Sequence, residues 1–224
     1  MKRTLNLSVL IFLIASISFI SSCKKDEVSI TDVNGNIYHS VTLGSQVWMV
    51  ENLKATRYND GTDLDNITNQ ASWASAYASS YCWYDNDMKT YKEPFGALYN
   101  LKAVKSNKLC PTGWHIPTEA EWTTLTTFLG GEVVAGNELK EAGLTNWLSP
   151  NDGATNSSAF TALPGGCRNT EGSFYGQGMY GYWWSYDQDG ADNANVISLN
   201  YNDGIVLVHN ANTGFGASVR CLKN

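Results

Sequence analysis

The chain has 224 residues, with 15 basic against 21 acidic side chains, a net charge of −6, and a high content of tryptophan (8) and tyrosine (12). An acidic chain with no basic cluster argues against nucleic acid as a partner and against charge-driven docking on anionic lipid. Only 3 histidines and no Cys-x-x-Cys pair argue against a zinc site.

Residues 1–22 read as an export signal. Lys2 and Arg3 give a positive start, Leu5 to Ile20 form an apolar run of signal-peptide rather than bilayer-spanning length, and Ile20-Ser21-Ser22-Cys23 closes it with small residues. This ending resembles a bacterial lipobox, in which the cysteine thiol is lipidated, the peptide is cut before it and the new amino terminus is acylated. An ordinary secretory signal with an incidental cysteine is the alternative. The lipobox implies attachment to a membrane through lipid on Cys23, a tether over 23–27, and no transmembrane helix in the mature chain. Lys24-Lys25-Asp26-Glu27 resembles the signal that sends Bacteroidota lipoproteins to the outer face of the cell, although any charged tetrapeptide would serve as a solvated tether. The expected address is therefore the outer membrane, exposed on the cell surface. Removing residues 1–22 takes away two basic residues and no acidic ones, leaving a net charge of −8.

Residues 28–224 read as one domain, without internal repeat or dividing linker. Val28 to Val33 and Asn36 to Leu43 flank Asn34-Gly35, a strong hairpin signal because both residues accept positive φ. Gly44-Ser45 turns into a third strand, Gln46 to Asn52. Residues 54–80 read as loop, with a short helix within Gln70 to Ala78. Tyr81 to Tyr84 is an aromatic strand halted by Asp85-Asn86-Asp87, and Phe95 to Val104 is ambiguous between strand and helix. The clearest helix follows Pro117: Thr118 caps it, Glu121 completes a capping box, Trp122, Leu125 and Leu129 share a face, and Gly130-Gly131 ends it. A second helix spans about Asn137 to Ala142. Asn151 to Gly178 carries loop chemistry. Four strands close the domain: Gly181 to Tyr186, Asn195 to Tyr201, Ile205 to His209 and Ala217 to Leu222.

Four cysteines follow Cys23: Cys82, Cys110, Cys167 and Cys221. An even number in an exported chain reads as two disulfides, with three pairings open.

The segment Leu109 to Trp122 (Leu-Cys-Pro-Thr-Gly-Trp-His-Ile-Pro-Thr-Glu-Ala-Glu-Trp) resembles the Fibrobacter succinogenes major paralogous domain, a bacterial surface family of largely undefined role. Gln46 to Leu53 with Arg57 to Gly61, Phe95 to Asn100, Asn156 to Gly166, Gly181 to Ser185 and Ser218 to Lys223 follow in that family's order, covering roughly residues 32–223. The His115 to Trp122 core is also similar to formylglycine-generating enzymes, which share a C-type-lectin-like fold. The resemblance implies an α+β architecture of that type, with short antiparallel sheets, two helices and long ordered loops. It also implies a Cys110–Cys221 bridge, which leaves Cys82–Cys167 as its companion. Two departures stand out. The family commonly has tyrosine at the position of Cys167, and Asn200 to Asp203 lacks the Trp-Asn-Asp of calcium-dependent lectins.

Three kinds of chemistry are candidates. An oxidase of the formylglycine-generating type needs reactive, partly exposed thiols; Cys167 beside Arg168 is the candidate, with a structural disulfide as the alternative. His115 could act as a base, or be a packed residue bonding backbone. No catalytic constellation is complete, and the expectation is no enzyme. Calcium is the candidate cofactor, through Asp85-Asn86-Asp87, Asn151-Asp152 and Asp187-Gln188-Asp189-Gly190 with Asp192-Asn193, although Asn and Asp also simply form turns. Glycan binding rests on the aromatic stretch from Gly172 to Asp192. Trp183 and Trp184 must point to opposite faces of a strand, so whichever faces outward is a platform, with Tyr182 and Tyr186 beside it; the alternative puts the second tryptophan under a loop. The expected function is thus a lipid-anchored surface module for a glycan or surface protein. An envelope scaffold and an oxidase are the other readings.

Overall fold

A computed structural model describes residues 29–75, 78–186 and 194–224. The export signal, Cys23, the tether and the Asp187 to Asn193 calcium candidate lie outside the described residues. No helix among the described residues is long and apolar enough to cross a membrane.

The fold is α+β. Its sheets are small: a two-stranded hairpin at the start, a four-stranded, a three-stranded and a six-stranded sheet. In the hairpin Ile30–Thr31 pairs with Ile37–Tyr38; the turn is centred on Val33-Asn34, closed by the Gly35 amide donating to the Asp32 carbonyl, and Gly35 follows it at φ +81° rather than pairing with Asn34 in the turn itself. Ser40–Leu43 and Gln46–Met49 form a second hairpin over Gly44-Ser45. Leu222–Lys223 then joins Gln46–Met49 to Trp114–His115, so the end of the chain closes the four-stranded sheet. The Cys110–Cys221 disulfide sits beside this closure, joining residues 111 apart in sequence.

The three-stranded sheet is an antiparallel meander of Tyr180–Ser185, Ala194–Asn200 and Leu207–Ala211. It lies between two cores. Trp184 and Val196 enter one with Tyr99, Met49 and Cys221, while Trp183, Ile197 and Leu199 enter the other with Trp48, Trp122 and Phe160. Strand alternation divides each neighbouring pair this way. The last strand begins two residues later than its sequence suggests, and Ala217 to Leu222 is not one strand: Gly216–Ala217 and Leu222–Lys223 join different sheets.

The capped helix forms as read, over Glu119–Phe128 with both halves of the Thr118–Glu121 box in place. The expected count of two helices is corrected, since the described residues hold five. Asp87 caps an eight-residue helix, Met88–Phe95, whose Pro94 falls in the last turn. The ambiguous Phe95 to Val104 stretch divides into the strand Leu98–Asn100 and the helix Leu101–Lys105, with Asn100 as cap. Gln70–Ala74 and Ala135–Leu139 are single short helices.

Candidate ligand-binding face

Trp183 and Trp184 are 1% and 0% exposed, so neither is a platform. They do point to opposite faces, but each face has its own core. The Trp183 indole donates to Asn52 Oδ1 at 2.8 Å and the Trp184 indole to the Tyr99 carbonyl at 2.7 Å. Room for Trp183 comes from Gly181, where an added Cβ would stand 2.3 Å from the indole ring. Arg220 completes the node: its guanidinium lies 4.2 Å from the Phe160 ring centroid and donates to Asn52 and to the Phe160 and Thr161 carbonyls. Tyr182 and Tyr186 are half-buried against the first core.

What reaches the surface is the other half of the Trp184 face. Tyr182 pairs with Ser198 across one strand boundary, and Ser198 with Leu207 across the next, so these residues and Tyr180 share that face. Tyr175, Tyr180 and Tyr182 stack in series, with ring centroids 5.8 Å apart and interplanar angles of 25° and 28°. Gly176 makes the stack possible. At φ +81° it folds the chain so that the Tyr180 amide donates to the Gly176 carbonyl, and a Cβ there would meet the Tyr180 ring at 2.9 Å. Phe215 meets the inner end edge-on, 5.7 Å from Tyr182. The outer ring, Tyr175, is 51% exposed. Of the four residues singled out as the platform, Trp183, Trp184, Tyr182 and Tyr186, only Tyr182 belongs to this site; Tyr175 and Tyr180 come from the same Gly172 to Asp192 aromatic stretch, and Phe215, 33 residues beyond Tyr182, was missed.

Beside the stack is a recess of about 410 Å³ between Tyr175, Tyr182 and Phe215, floored by Cys167, Val196 and Ala211 and rimmed by Asn169, His209, Asn210 and Asn212. His209 Nε2 is 2.8 Å from Ser198 Oγ. The Asn169 carboxamide is occupied by Ser173, whereas the Asn212 side chain makes no hydrogen bond among the described residues. Asn210 borders the recess by its backbone, since its side chain lies between His209 and Ala211 on the strand and faces the other way, beside Asn195. Burial first, then Cys167 and the neighbouring tyrosines, raise the Tyr182 pKa, so its hydroxyl remains a donor.

Cys82 and Cys167 are free and buried, which corrects the second expected disulfide. Their strands are separated by two others in the six-stranded sheet, three spacings or roughly 14 Å, where a disulfide needs Cα atoms within about 7 Å. Burial pushes each thiol up to about 12. Arg168 does not activate Cys167, because consecutive strand residues face opposite ways. Its guanidinium lies instead between the Trp73 and Phe174 rings, at 4.6 and 4.7 Å, donates to the Ile67, Thr68 and Gly172 carbonyls, and opposes the rise at Cys82.

The acidic and amide candidates hold the backbone. Asp87 accepts from the Thr90 amide and hydroxyl, and Asp85 and Asn86 take φ 49° and 58°. Asn151 donates to the Glu141 and Gly143 carbonyls. The Asp152 carbonyl receives a cation from within the chain: Lys140, 0% exposed, donates to the carbonyls of Asp152, Asn200 and Asp203 at 2.9, 3.1 and 2.7 Å. Burial lowers its pKa against the pull of Asp203 and Asp152. Among the described residues no group of three or more His, Cys, Asp or Glu could hold a metal ion. His115 lies near side chains rather than backbone, 2.7 Å from Asn224 Oδ1 and 3.0 Å from both Glu121 oxygens.

Fold and face together define a disulfide-linked α+β domain with an aromatic recess at its surface. The chain belongs to the Fibrobacter succinogenes major domain family, whose sequence profile matches residues 41–223. Neither a curated protein nor a solved structure matches it.

Proposed function

We propose that this chain is a lipid-anchored module of the outer cell surface that binds glycans through the tyrosine face. The observation carrying this reading is the stacked Tyr175–Tyr180–Tyr182 series beside a recess that Asn212 borders. Sugars lay C–H surface on aromatic rings and exchange hydroxyl hydrogen bonds with amides, and rings already held by neighbours lose little freedom on binding. Lipid on Cys23 supplies the attachment, since the acidic chain offers no electrostatic one. The α+β fold is read as C-type-lectin-like on the similarity of His115 to Trp122.

Two protonated, buried thiols on separated strands weigh against an oxidase that works through thiolates. The scaffold reading is favoured by one feature, the exposed apolar side chains of Phe128, Val133 and Val134 around the end of the capped helix. Electrophoresis through gels containing embedded polysaccharides tests the glycan reading. Wild-type protein is expected to be retarded and Tyr175→Ala to run freely; equal mobility of the two in every retarding gel would count against this face.

A further inference from the structure

The two outer edges of the three-stranded meander are treated differently by the fold. On Tyr180–Ser185 the edge is occupied: the Trp184 amide donates to the Ser218 carbonyl, and the Tyr182 carbonyl accepts from the Ser218 amide. Gly181, Trp183 and Ser185 therefore bond the middle strand, through Leu199, Ile197 and Asn195. Alternation carries the pattern across the sheet. Val196 and Ser198 bond the last strand through His209 and Leu207, so Val208 and Asn210 turn their amides and carbonyls outward. The Val206 amide follows the same order and donates outward to the Glu132 carbonyl. Among the described residues no backbone bond reaches the outward groups of Val208 or Asn210.

This open edge lacks the usual protection. Leu207–Ala211 holds no proline, lysine, arginine or carboxylate, and Leu207 and Val208 are 44% and 43% exposed. Such an edge accepts a further strand, and this one is complementary to itself. A two-fold axis through His209 sets Val208 of one copy opposite Asn210 of the other, and each amide donates to the facing carbonyl. Leu207 then faces Ala211, and no like charges meet along the strand although the chain is acidic overall. An axis at Val208 would call on the Val206 amide, which Glu132 already holds. We propose that Leu207–Ala211 pairs antiparallel with the same strand of a second copy, joining two meanders into one sheet. A strand edge of this length buries less than the roughly 800 Å² per partner of a standard interface, so the dimer is reversible and concentration-dependent. The axis stands perpendicular to the sheet and turns both Tyr175–Tyr180–Tyr182 faces the same way, which makes the pair bivalent. The pairing itself does not depend on glycan binding.

The test is oxidative cross-linking of the mature chain as isolated from cells, carrying His209→Cys at the axis. Thr124→Cys, exposed on the capped helix, measures chance collision, and Cys82 and Cys167 are buried. At equal concentration the His209→Cys dimer is expected to form at least roughly tenfold faster, because pairing raises the effective concentration of the facing thiols. Adding Val208→Pro removes an outward donor and no bond of the meander, and adding Val208→Lys places a charge on the edge. Both are expected to bring the rate down to that of Thr124→Cys while native circular dichroism is retained. Equal rates for the two cysteines overturn the pairing, as does a fast His209→Cys rate that neither Val208 variant slows. Either failure leaves the glycan reading standing.

Discussion

Replacing Lys140 with methionine is expected to cost more stability than its position between two loops suggests. Methionine keeps the aliphatic stem and approximate volume, so the change isolates the ammonium. That group makes three hydrogen bonds of 2.7 to 3.1 Å to the carbonyls of Asp152, Asn200 and Asp203, and lies 5.6 Å from the Trp147 ring centroid. Hydrogen bonds from charged donors are worth about 1.5–3 kcal/mol each. Against their sum stands the desolvation of a buried ammonium, several kcal/mol, which the variant no longer incurs. The three carbonyls also regain some water once the loops loosen. The net expectation is a loss of about 2–4 kcal/mol, measured by urea unfolding with the disulfide intact, with the m-value unchanged. A loss below about 0.5 kcal/mol would refute the view that this internal cation ties the Asn151-Asp152 loop to the Asn200 to Gly204 turn.

The free thiols make stability pH-dependent. Their folded pKa of about 12 lies above the model-compound value of 9.0, so their contribution is complete below pH 9 and declines as pH rises toward 12. Each thiol is expected to account for on the order of 1 kcal/mol lost by pH 10, and stability flat from pH 8 to 10 would contradict this. In the native state Cys82 and Cys167 are expected to resist a thiol reagent and to react on unfolding, while non-reducing peptide mapping finds Cys110 joined to Cys221. Removing that bridge with the double change Cys110→Ala and Cys221→Ala is expected to cost on the order of 4–5 kcal/mol in the chain-entropy account, since it closes a loop spanning 111 positions. Thr118→Ala, which removes the cap from Glu119–Phe128, is expected to cost about 1 kcal/mol by thermal unfolding.

Local signals in the sequence carried over to the fold. The Gly44-Ser45 turn and the Thr118–Glu121 box depend on residues within a few positions of one another, and both formed as read; the first hairpin also forms, but its turn is centred on Val33-Asn34, with Gly35 alone at positive φ. Met88–Phe95 was hidden because Asp85-Asn86-Asp87 read only as the stop of a strand, whereas Asp87 is the cap of the helix that follows. Non-local features were not legible. Strand alternation correctly sent Trp183 and Trp184 apart, but only the packing shows a core on each side. The even cysteine count suggested two bridges, and sheet order keeps one pair apart. Lys140 and Arg220 gave no sequence signal as buried cations, because most of the groups that satisfy them lie about 60 or more residues away. The tyrosine stack was half visible: Tyr182 stood out in its strand, while Tyr175 joins it only through the reversal at Gly176.

The central claim is that the Tyr175–Tyr180–Tyr182 face binds glycan, and a broad glycan array probed with soluble residues 24–224, with and without chelator, tests it most directly. Binding is expected to survive chelator, because no carboxylate borders the recess among the described residues, and to be lost in Tyr175→Ala. A blank array from folded, disulfide-intact protein, or a signal that Tyr175→Ala leaves unchanged, would contradict it.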